Sequence, residues 1–226
     1  MNDVTKMFDE ISSSYDFVNR VLSFGQDLRW RKKLAKHLPL KPHLQILDLA
    51  TGTGDQIAAL YRAKLSIEKV VGIDLSEEML AIGRKKLKAI PAVTLLKGDA
   101  QKLSFVDESF DAASFSFGIR NVSNPSASLE EIYRVLRKRG RCLILEFSMP
   151  SSWIRPFFLF YLRKILPRLG GALSKKRAAY KYLNQTIETF PSGEAFLTLM
   201  KNAGFSNLKA LPMNFGSVTL YVGEKH

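Results

Sequence analysis

Along residues 1–43 the apolar positions Met7, Phe8, Ile11, Tyr15, Val18, Val21 and Leu22 recur three and four apart, which marks one buried face of a helix. A second helix is expected over Asp27–Leu38, ended by Pro39. The pattern then changes. Short apolar runs at Leu44–Ala50, Lys69–Asp74, Val93–Lys97, Phe110–Phe117 and Arg141–Phe147 read as buried strands. Between them Ile57–Ala63, the stretch from Ser76 to about Lys88 and Leu129–Arg137 read as helices. Ser76 suits an N-cap, and Glu77 and Glu78 follow it in the first turn, where the helix dipole favours acids. Ser192–Ala203 reads as a further helix. Asn207–Met213 and Ser217–Gly223 flank the turn signal Asn214-Phe215-Gly216 and read as a hairpin. This alternation predicts an α/β fold: a mostly parallel seven-stranded sheet ending in an antiparallel hairpin, with helices on both faces. Residues 1–226 are expected to form a single domain, with 1–43 as a helical cap and 150–190 as a helical insertion or lid.

Composition narrows the function classes. The chain has 226 residues, 46% hydrophobic and 24% charged, enough to bury a core without staples. Its one cysteine, Cys142, excludes an intramolecular disulfide and a cysteine metal cluster. His37, His43 and His226 have no ligand spacing, so no metal is expected. No apolar run is long enough for a transmembrane helix, and the polar, acid-bearing start does not read as a signal peptide, so a cytoplasmic protein is expected.

The net charge of +13 changes the picture, because 34 basic residues face 21 acidic ones. Such an excess suits nucleic acid, a membrane surface or a phosphorylated ligand, or is only a basic soluble surface. The charge is densest over Trp153–Lys181. There Trp153, Phe157, Phe158, Phe160 and Tyr161 stand among Arg155, Arg163, Lys164, Arg168, Lys175, Lys176, Arg177 and Lys181, with no acid. An apolar face beside a cationic one is the signature of an interfacial helix, here toward an anionic membrane; the plainer reading is a lid packed on the core. No nucleic-acid module is present, so nucleic acid is not an expected partner. Arg84, Lys85, Lys86 and Lys88 are expected to form the solvated face of their helix.

Three motifs carry chemistry. Asp48-Leu49-Ala50-Thr51-Gly52-Thr53-Gly54-Asp55 follows a strand and opens a helix. Gly52 and Gly54 permit a tight turn, and the helix start offers free amides. The third glycine of the dinucleotide fingerprint is missing, since position 57 is Ile, and Asp55 would repel a pyrophosphate. A ligand with an amino-acid head group fits better, its carboxylate on amides and its ammonium near an acid. Asp74 ends the second strand, where an acid accepts hydrogen bonds from ribose hydroxyls. Asp99 and Ala100 end the third, where an acid can read the exocyclic amine of adenine and the next amide a ring nitrogen. All three stand at carboxyl ends of strands, where open α/β sheets bind ligands.

These motifs resemble the S-adenosylmethionine-binding elements of class I methyltransferases. Further stretches narrow the resemblance: Met7-Phe8-Asp9, Tyr15 to Asn19, Leu22 to Gly25 leading to Trp30-Arg31, Phe117-Gly118-Ile119-Arg120-Asn121-Val122, Leu145 to Ser148, and Tyr182-Leu183 leading to Phe190-Pro191. Together they resemble the ubiquinone/menaquinone biosynthesis C-methyltransferases over nearly the whole chain. The resemblance implies methylation of a ring carbon on a polyprenylated quinol, demethylmenaquinol first and the benzoquinol of the ubiquinone pathway second. It implies cofactor contacts at Gly52, Thr53, Gly54, Asp74, Asp99, Ala100 and Ser116. Tyr15 and Asn121 are implied substrate contacts, and Tyr15 and Asp16 are candidates for closing the site.

Alignment and removal of a phenolic proton are what such a reaction needs. Asn121 can hydrogen-bond a ring oxygen. Arg120, always cationic, can stabilise the phenolate, with a water beside it as proton acceptor. Thr51, where relatives often carry Gly or Cys, and Lys138-Arg139-Gly140, in place of a Lys-Pro-Gly-Gly turn, depart from the family pattern; the second departure is expected to affect turn geometry only. The rival readings are methylation of another hydrophobic small molecule, such as a sterol or phospholipid head group, and a non-catalytic membrane-surface protein that keeps the fold. An NAD-dependent oxidoreductase is disfavoured by the missing glycine. Self-association as a homodimer is the remaining partner expectation.

Overall fold

The computed structural model describes residues 2–63, 65–90, 92–174 and 176–226, without the side chains of residues 2, 3, 172–174, 177, 178 and 180. Two helices come first, α1 (Asn2–Leu22) and α2 (Gln26–Ala35). Strands and helices then alternate through β1 (Leu44–Leu49), α3 (Asp55–Arg62), β2 (Ile67–Asp74), α4 (Glu77–Lys86), β3 (Val93–Lys97), β4 (Phe110–Ser116), α5 (Pro125–Val135) and β5 (Leu136–Phe147). The segment after β5 holds α6 (Arg155–Phe160), α7 (Leu166–Ser174) and α8 (Arg177–Thr189), with one turn of π-helix over Tyr161–Ile165. The chain closes with α9 (Glu194–Asn202), β6 (Ser206–Met213) and β7 (Val218–Glu224).

The sheet order is β3-β2-β1-β4-β5-β7-β6. β1 to β5 are parallel, and β7 is antiparallel to both β5 and β6. This is the expected mostly parallel seven-stranded sheet with a terminal hairpin. Alternation along the strands sorts the core onto two faces. Ile46, Val70, Ala112 and Leu143 pack with Trp30, Leu34, Ile57 and Leu80 from α2, α3 and α4. Leu47, Val71, Ala113 and Ile144 pack with Leu129, Ile132, Phe196 and Met200 from α5 and α9. Both faces are covered, which is why β4 is buried at every position. Ile11 and Val18 of α1 join Met79, Leu162, Leu166, Ala179 and Ile187 in a third cluster, which roofs the carboxyl ends of the strands.

Ser76 caps α4 as expected, its hydroxyl accepting from the Met79 amide. The helix expected over Leu129–Arg137 lies earlier, at Pro125–Val135. Asn124 accepts from the Ala127 amide as its cap, and Pro125 supplies a ready-made first turn. Leu136 is withdrawn from the helix because it already pairs with Phe110, so β5 begins there rather than at Arg141. The Lys138-Arg139-Gly140 departure sits in that early part of β5, where Arg139 adopts φ 63° and bonds the Lys225 carbonyl. That is the amino end of the strand, away from the ligand-binding end of the sheet.

Candidate active site

Two adjoining chambers open at the carboxyl ends of the strands. The first is a cleft of about 770 Å³ over β1 to β4. After β1 the chain turns through left-handed conformations at Ala50 (φ 45°), Gly52 (φ 54°) and Gly54 (φ 81°). A Cβ added at Gly52 would meet no protein atom within 4 Å, so the space above the turn is open. A Cβ at Gly54 would come within 2.5 Å of Leu87, so that glycine lets α4 pack. Asp74 at the end of β2 accepts the Gly52 amide at 2.8 Å through one oxygen and the Ser76 amide at 2.9 Å through the other. Burial pushes its carboxyl above the usual range, against the lowering effect of those amides. Asp99 accepts the Gln101 amide at 2.9 Å. Asp74, Asp99, Ala100, Ser116 and Gly52 all line the cleft.

Beneath the turn lies Asp48, fully buried and held by the Ser114 hydroxyl at 2.5 Å and the Thr51 hydroxyl at 2.7 Å. Thr51 thus supplies a hydroxyl to this buried carboxylate. Burial pushes the Asp48 carboxyl up to about 6 despite these bonds.

The turn carries Thr53 and Gly54 away from the cleft, and neither lines it. Thr53, 2% exposed, donates to Asp16 of α1 at 2.5 Å and accepts from Lys86 at 3.0 Å. Lys86 also bonds Asp16 and reaches Asp55 at 2.8 Å. Lys86 is therefore part of a latch, which corrects its expected place on a merely solvated face. Arg20 extends the latch to Asp55 and Asp27, and Asp9 accepts from the Ser76 hydroxyl. Burial raises the Asp55 carboxyl, but the Lys86 hydrogen bond and the charges of Arg31, Lys86 and Arg20 outweigh it and hold it below the usual range. These bonds pin α1 over the cleft, with Phe8 and Tyr15 facing in.

The second chamber, about 1500 Å³, lies between α1, α2 and the α6–α8 segment. It shares Phe8, Tyr15, Phe117 and Asn121 with the cleft. Its inner end is aromatic. Phe117 lies 4.8 Å from Phe147 and 5.9 Å from Trp30, between ring centroids. Phe117 holds φ 59°, a conformation costly for a bulky residue and concentrated at functional sites. Gly118 follows it because a Cβ there would stand 2.6 Å from Phe115 and 2.7 Å from Ala50.

Arg120 lies over the Phe147 ring at 5.3 Å, its side chain 5% exposed. It donates to Glu146 at 2.5 Å and to the Phe117 carbonyl at 2.7 Å. Burial pushes the Glu146 carboxyl up, opposed chiefly by Arg120. Arg120 Nε and Asn121 Oδ1 are buried without a partner. Burial also raises the Tyr15 hydroxyl, with Arg120 pulling it down. Tyr15, Arg120 and Asn121, from distant parts of the sequence, thus meet at one place, and Asp16 joins them only through the outer latch.

Sequence reasoning gave no separate role to Glu146 or Asp9, and it placed Lys86 on a solvated face. Glu146 had a signal, a single acid inside the apolar run Arg141–Phe147. The stretch 153–181 also reads differently in space. It has no acid of its own, but Glu188 pairs with Arg163, and Glu10 with Lys176 at 2.7 Å. Lys175 and the Arg177 side chain lie outside the described residues.

An open cradle over Gly52, lined by the fixed carboxylates of Asp74 and Asp99, fits S-adenosylmethionine. The comparisons agree with this geometry. The model of the ubiE/COQ5 methyltransferase family matches residues 1–225. The chain is 42% identical to the ubiquinone/menaquinone biosynthesis C-methyltransferase UbiE of Geotalea uraniireducens, covering 98% of this chain and 96% of that protein. It is likewise 42% identical to the demethylmenaquinone methyltransferase of Chlorobaculum tepidum, covering 99% and 93%. Among solved structures, a methyltransferase of Thermotoga maritima described as a possible histamine N-methyltransferase shares the fold, with TM-score 0.70 over 98% of this chain and 99% of that one, at 24% identity. On the full-length family match and these relatives, the chain belongs to the ubiE/COQ5 methyltransferase family.

Proposed function

We propose that this chain methylates a ring carbon of a polyprenylated quinol, demethylmenaquinol before the benzoquinol of the ubiquinone pathway. The observation that carries the proposal is the second chamber. It is large and mainly apolar, and it meets the donor cleft at Tyr15, Phe117 and Asn121. Its inner end holds two buried, unpartnered polar atoms, Arg120 Nε and Asn121 Oδ1. A long apolar tail with a small polar ring fits such a space.

The methyl donor is S-adenosylmethionine, which when bound supplies a methyl group on a positively charged sulfur. Asp74 would hold the ribose hydroxyls and Asp99 the adenine amine, with the Ala100 amide beside it. Ser116, fixed by its 3.0 Å bond to Gln56, stands at the wall toward the acceptor. The packed pair Phe117 and Phe147 would form one wall against the ring and set its carbon in line with the methyl group. Asn121 would bond one ring oxygen. The Arg120 guanidinium, buried beside it, lowers that hydroxyl's pKa, so that the ring oxygen gives up its proton to a water at Arg120. The ring carbon then forms its new bond to the methyl group as the methyl–sulfur bond breaks, and it loses its hydrogen as a proton when the ring regains aromaticity. Glu146 keeps Arg120 in place without touching the acceptor.

The same reading extends to the membrane. Among the described residues no helix is long and apolar enough to cross one. Yet Phe24, Trp153, Phe157, Phe160 and Phe215 are each more than half exposed. Phe24 also lines the acceptor chamber, and Trp153 stacks edge-on with Phe215 at 5.7 Å. Among the described residues, Arg155, Lys164, Arg168 and Lys181 have no carboxylate within 4 Å. We assign this surface to an anionic bilayer, peripheral to the inner face, from which the tail enters the chamber. The test is lipid analysis of cells that lack the gene. Unmethylated naphthoquinone should accumulate and disappear on complementation. Unchanged quinones with an altered sterol or phospholipid methyl pattern would overturn the reading.

A further inference from the structure

Arg31 is a buried cation that makes no direct ion pair among the described residues. It is 8% exposed, and no carboxylate among the described residues lies within 4 Å of it. Its Nε is buried and has no hydrogen-bond partner. Its guanidinium carbon stands 5.3 Å from the centre of the Phe117 ring, the ring at the junction of the two chambers. It lines the acceptor chamber. Its main-chain carbonyl accepts from Gln56, whose own amide oxygen takes the Ser116 hydroxyl on the wall of the cleft. Its charge reaches Asp48, Asp55 and Tyr15, so it acts on both sides of the junction. A buried unpaired charge is expensive, and proteins keep one where a ligand completes it. A planar guanidinium with free donors is the side chain best matched to an oxyanion.

We propose that Arg31 donates to an oxygen at the junction of the two chambers, brought in by one of the two reactants. The sources on offer share this chemistry: the carboxylate of the methyl donor's amino-acid tail, or the second ring oxygen of the acceptor, the first being held at Arg120 and Asn121. The inference rests on the reading that the cleft takes the donor and the large chamber the acceptor. Arg31 is then the third cationic or polar anchor of the reaction space and complements the oxygen that Arg120 and Asn121 do not reach.

The test uses the full chain and binding as its first readout. S-adenosylhomocysteine and 5′-methylthioadenosine, which lacks the amino-acid tail, are titrated calorimetrically into wild type, Arg31→Met and Arg31→Lys. Melting temperatures of the ligand-free proteins are measured alongside. If the donor carboxylate is the source, Arg31→Met weakens S-adenosylhomocysteine about tenfold or more and leaves 5′-methylthioadenosine within about twofold, while Arg31→Lys recovers part of the loss. If the ring oxygen is the source, both nucleosides bind as before, and KM for reduced demethylmenaquinone rises about tenfold. In either case the ligand-free variant melts within a few degrees of wild type, because Arg31 makes no direct ion pair among the described residues. Unchanged affinities and KM would overturn the inference, as would equal losses for both nucleosides with a lowered melting temperature. Failure of wild type to bind S-adenosylhomocysteine would instead overturn the donor reading itself.

Discussion

A buried carboxylate lies beneath each chamber, and the two are held in different ways. Asp48, under the donor cleft, is satisfied by two neutral hydroxyls, from Ser114 and Thr51. Glu146, under the acceptor chamber, is satisfied by the Arg120 cation and by the Phe147 amide at 2.8 Å. Burial raises both carboxyls, but their surroundings give protonation different consequences. A hydroxyl can turn and donate elsewhere, so Asp48 can take a proton with its neighbours in place. Glu146 cannot lose its charge without leaving Arg120 unpaired in a nearly closed site. The donor end is thus a rigid backbone cradle over a neutral hydrogen-bond network. The acceptor end is an electrostatic device whose cation is positioned by a dedicated anion. On the proposed function, the first binds and the second does the chemistry.

The largest effect should come from the acceptor side. Arg120→Lys keeps a charge for Glu146 but loses the planar fork. It should lower kcat by about a hundredfold or more, the scale of losing an oxyanion donor. The affinity for S-adenosylhomocysteine should stay within about twofold. Equal losses in both would erase the division of labour.

Next comes a stability effect centred on Asp48. The Asp48 carboxyl lies at about 6 in the folded protein and at 3.8 when free. It therefore holds its proton more tightly folded than unfolded, and stability falls as pH rises from about 4 to about 6, then stays flat. The shift corresponds to about 3 kcal/mol. Urea unfolding at stepped pH should show this slope in wild type and a shallower one in Asp48→Asn, the remainder coming from Asp74 and Glu146, which burial also raises. A slope unchanged by the substitution would place its origin elsewhere.

Asp74→Ala should weaken donor binding about tenfold, from the lost charge-assisted bonds, and leave the acceptor KM unchanged. An unchanged donor affinity would remove Asp74 from the site. The smallest effect belongs to the outer surface. Trp153→Ser with Phe157→Ser should shift stability by no more than about 0.5 kcal/mol, while co-sedimentation with anionic vesicles falls several-fold. Unchanged sedimentation would remove the bilayer from that face.

The same contrast explains what could be read before the fold was seen. The donor end is built from short, local signals. Gly52, Asp74 and Asp99 each stand at the end of an apolar run, and Ser76 announces its helix. Their places in the sheet follow from strand order. Thr53 belongs to the same motif, yet its hydroxyl faces Asp16 and Lys86, because two left-handed glycines carry it around the turn. No local pattern records that. The acceptor end is tertiary throughout. Tyr15 on α1, Arg31 on α2, Arg120 after β4 and the α6–α8 segment meet only when the roof packs. Family resemblance pointed to Tyr15, Arg120 and Asn121. Nothing in spacing could pair Glu146 with Arg120, or leave Arg31 without a direct ion pair among the described residues. The start of α5 differs for another reason: Asn124-Pro125 is a local start signal, while the apolar spacing from Leu129 alone places the helix too late.

The most direct measurement is methyl transfer from labelled S-adenosylmethionine to chemically reduced demethylmenaquinone and to the unmethylated benzoquinol precursor, with and without anionic liposomes. The account predicts label in the naphthoquinol, a higher rate on liposomes, and loss of that label in Arg120→Lys with donor binding intact. Donor binding without label in either quinol would contradict it, because the large chamber would then serve a different acceptor.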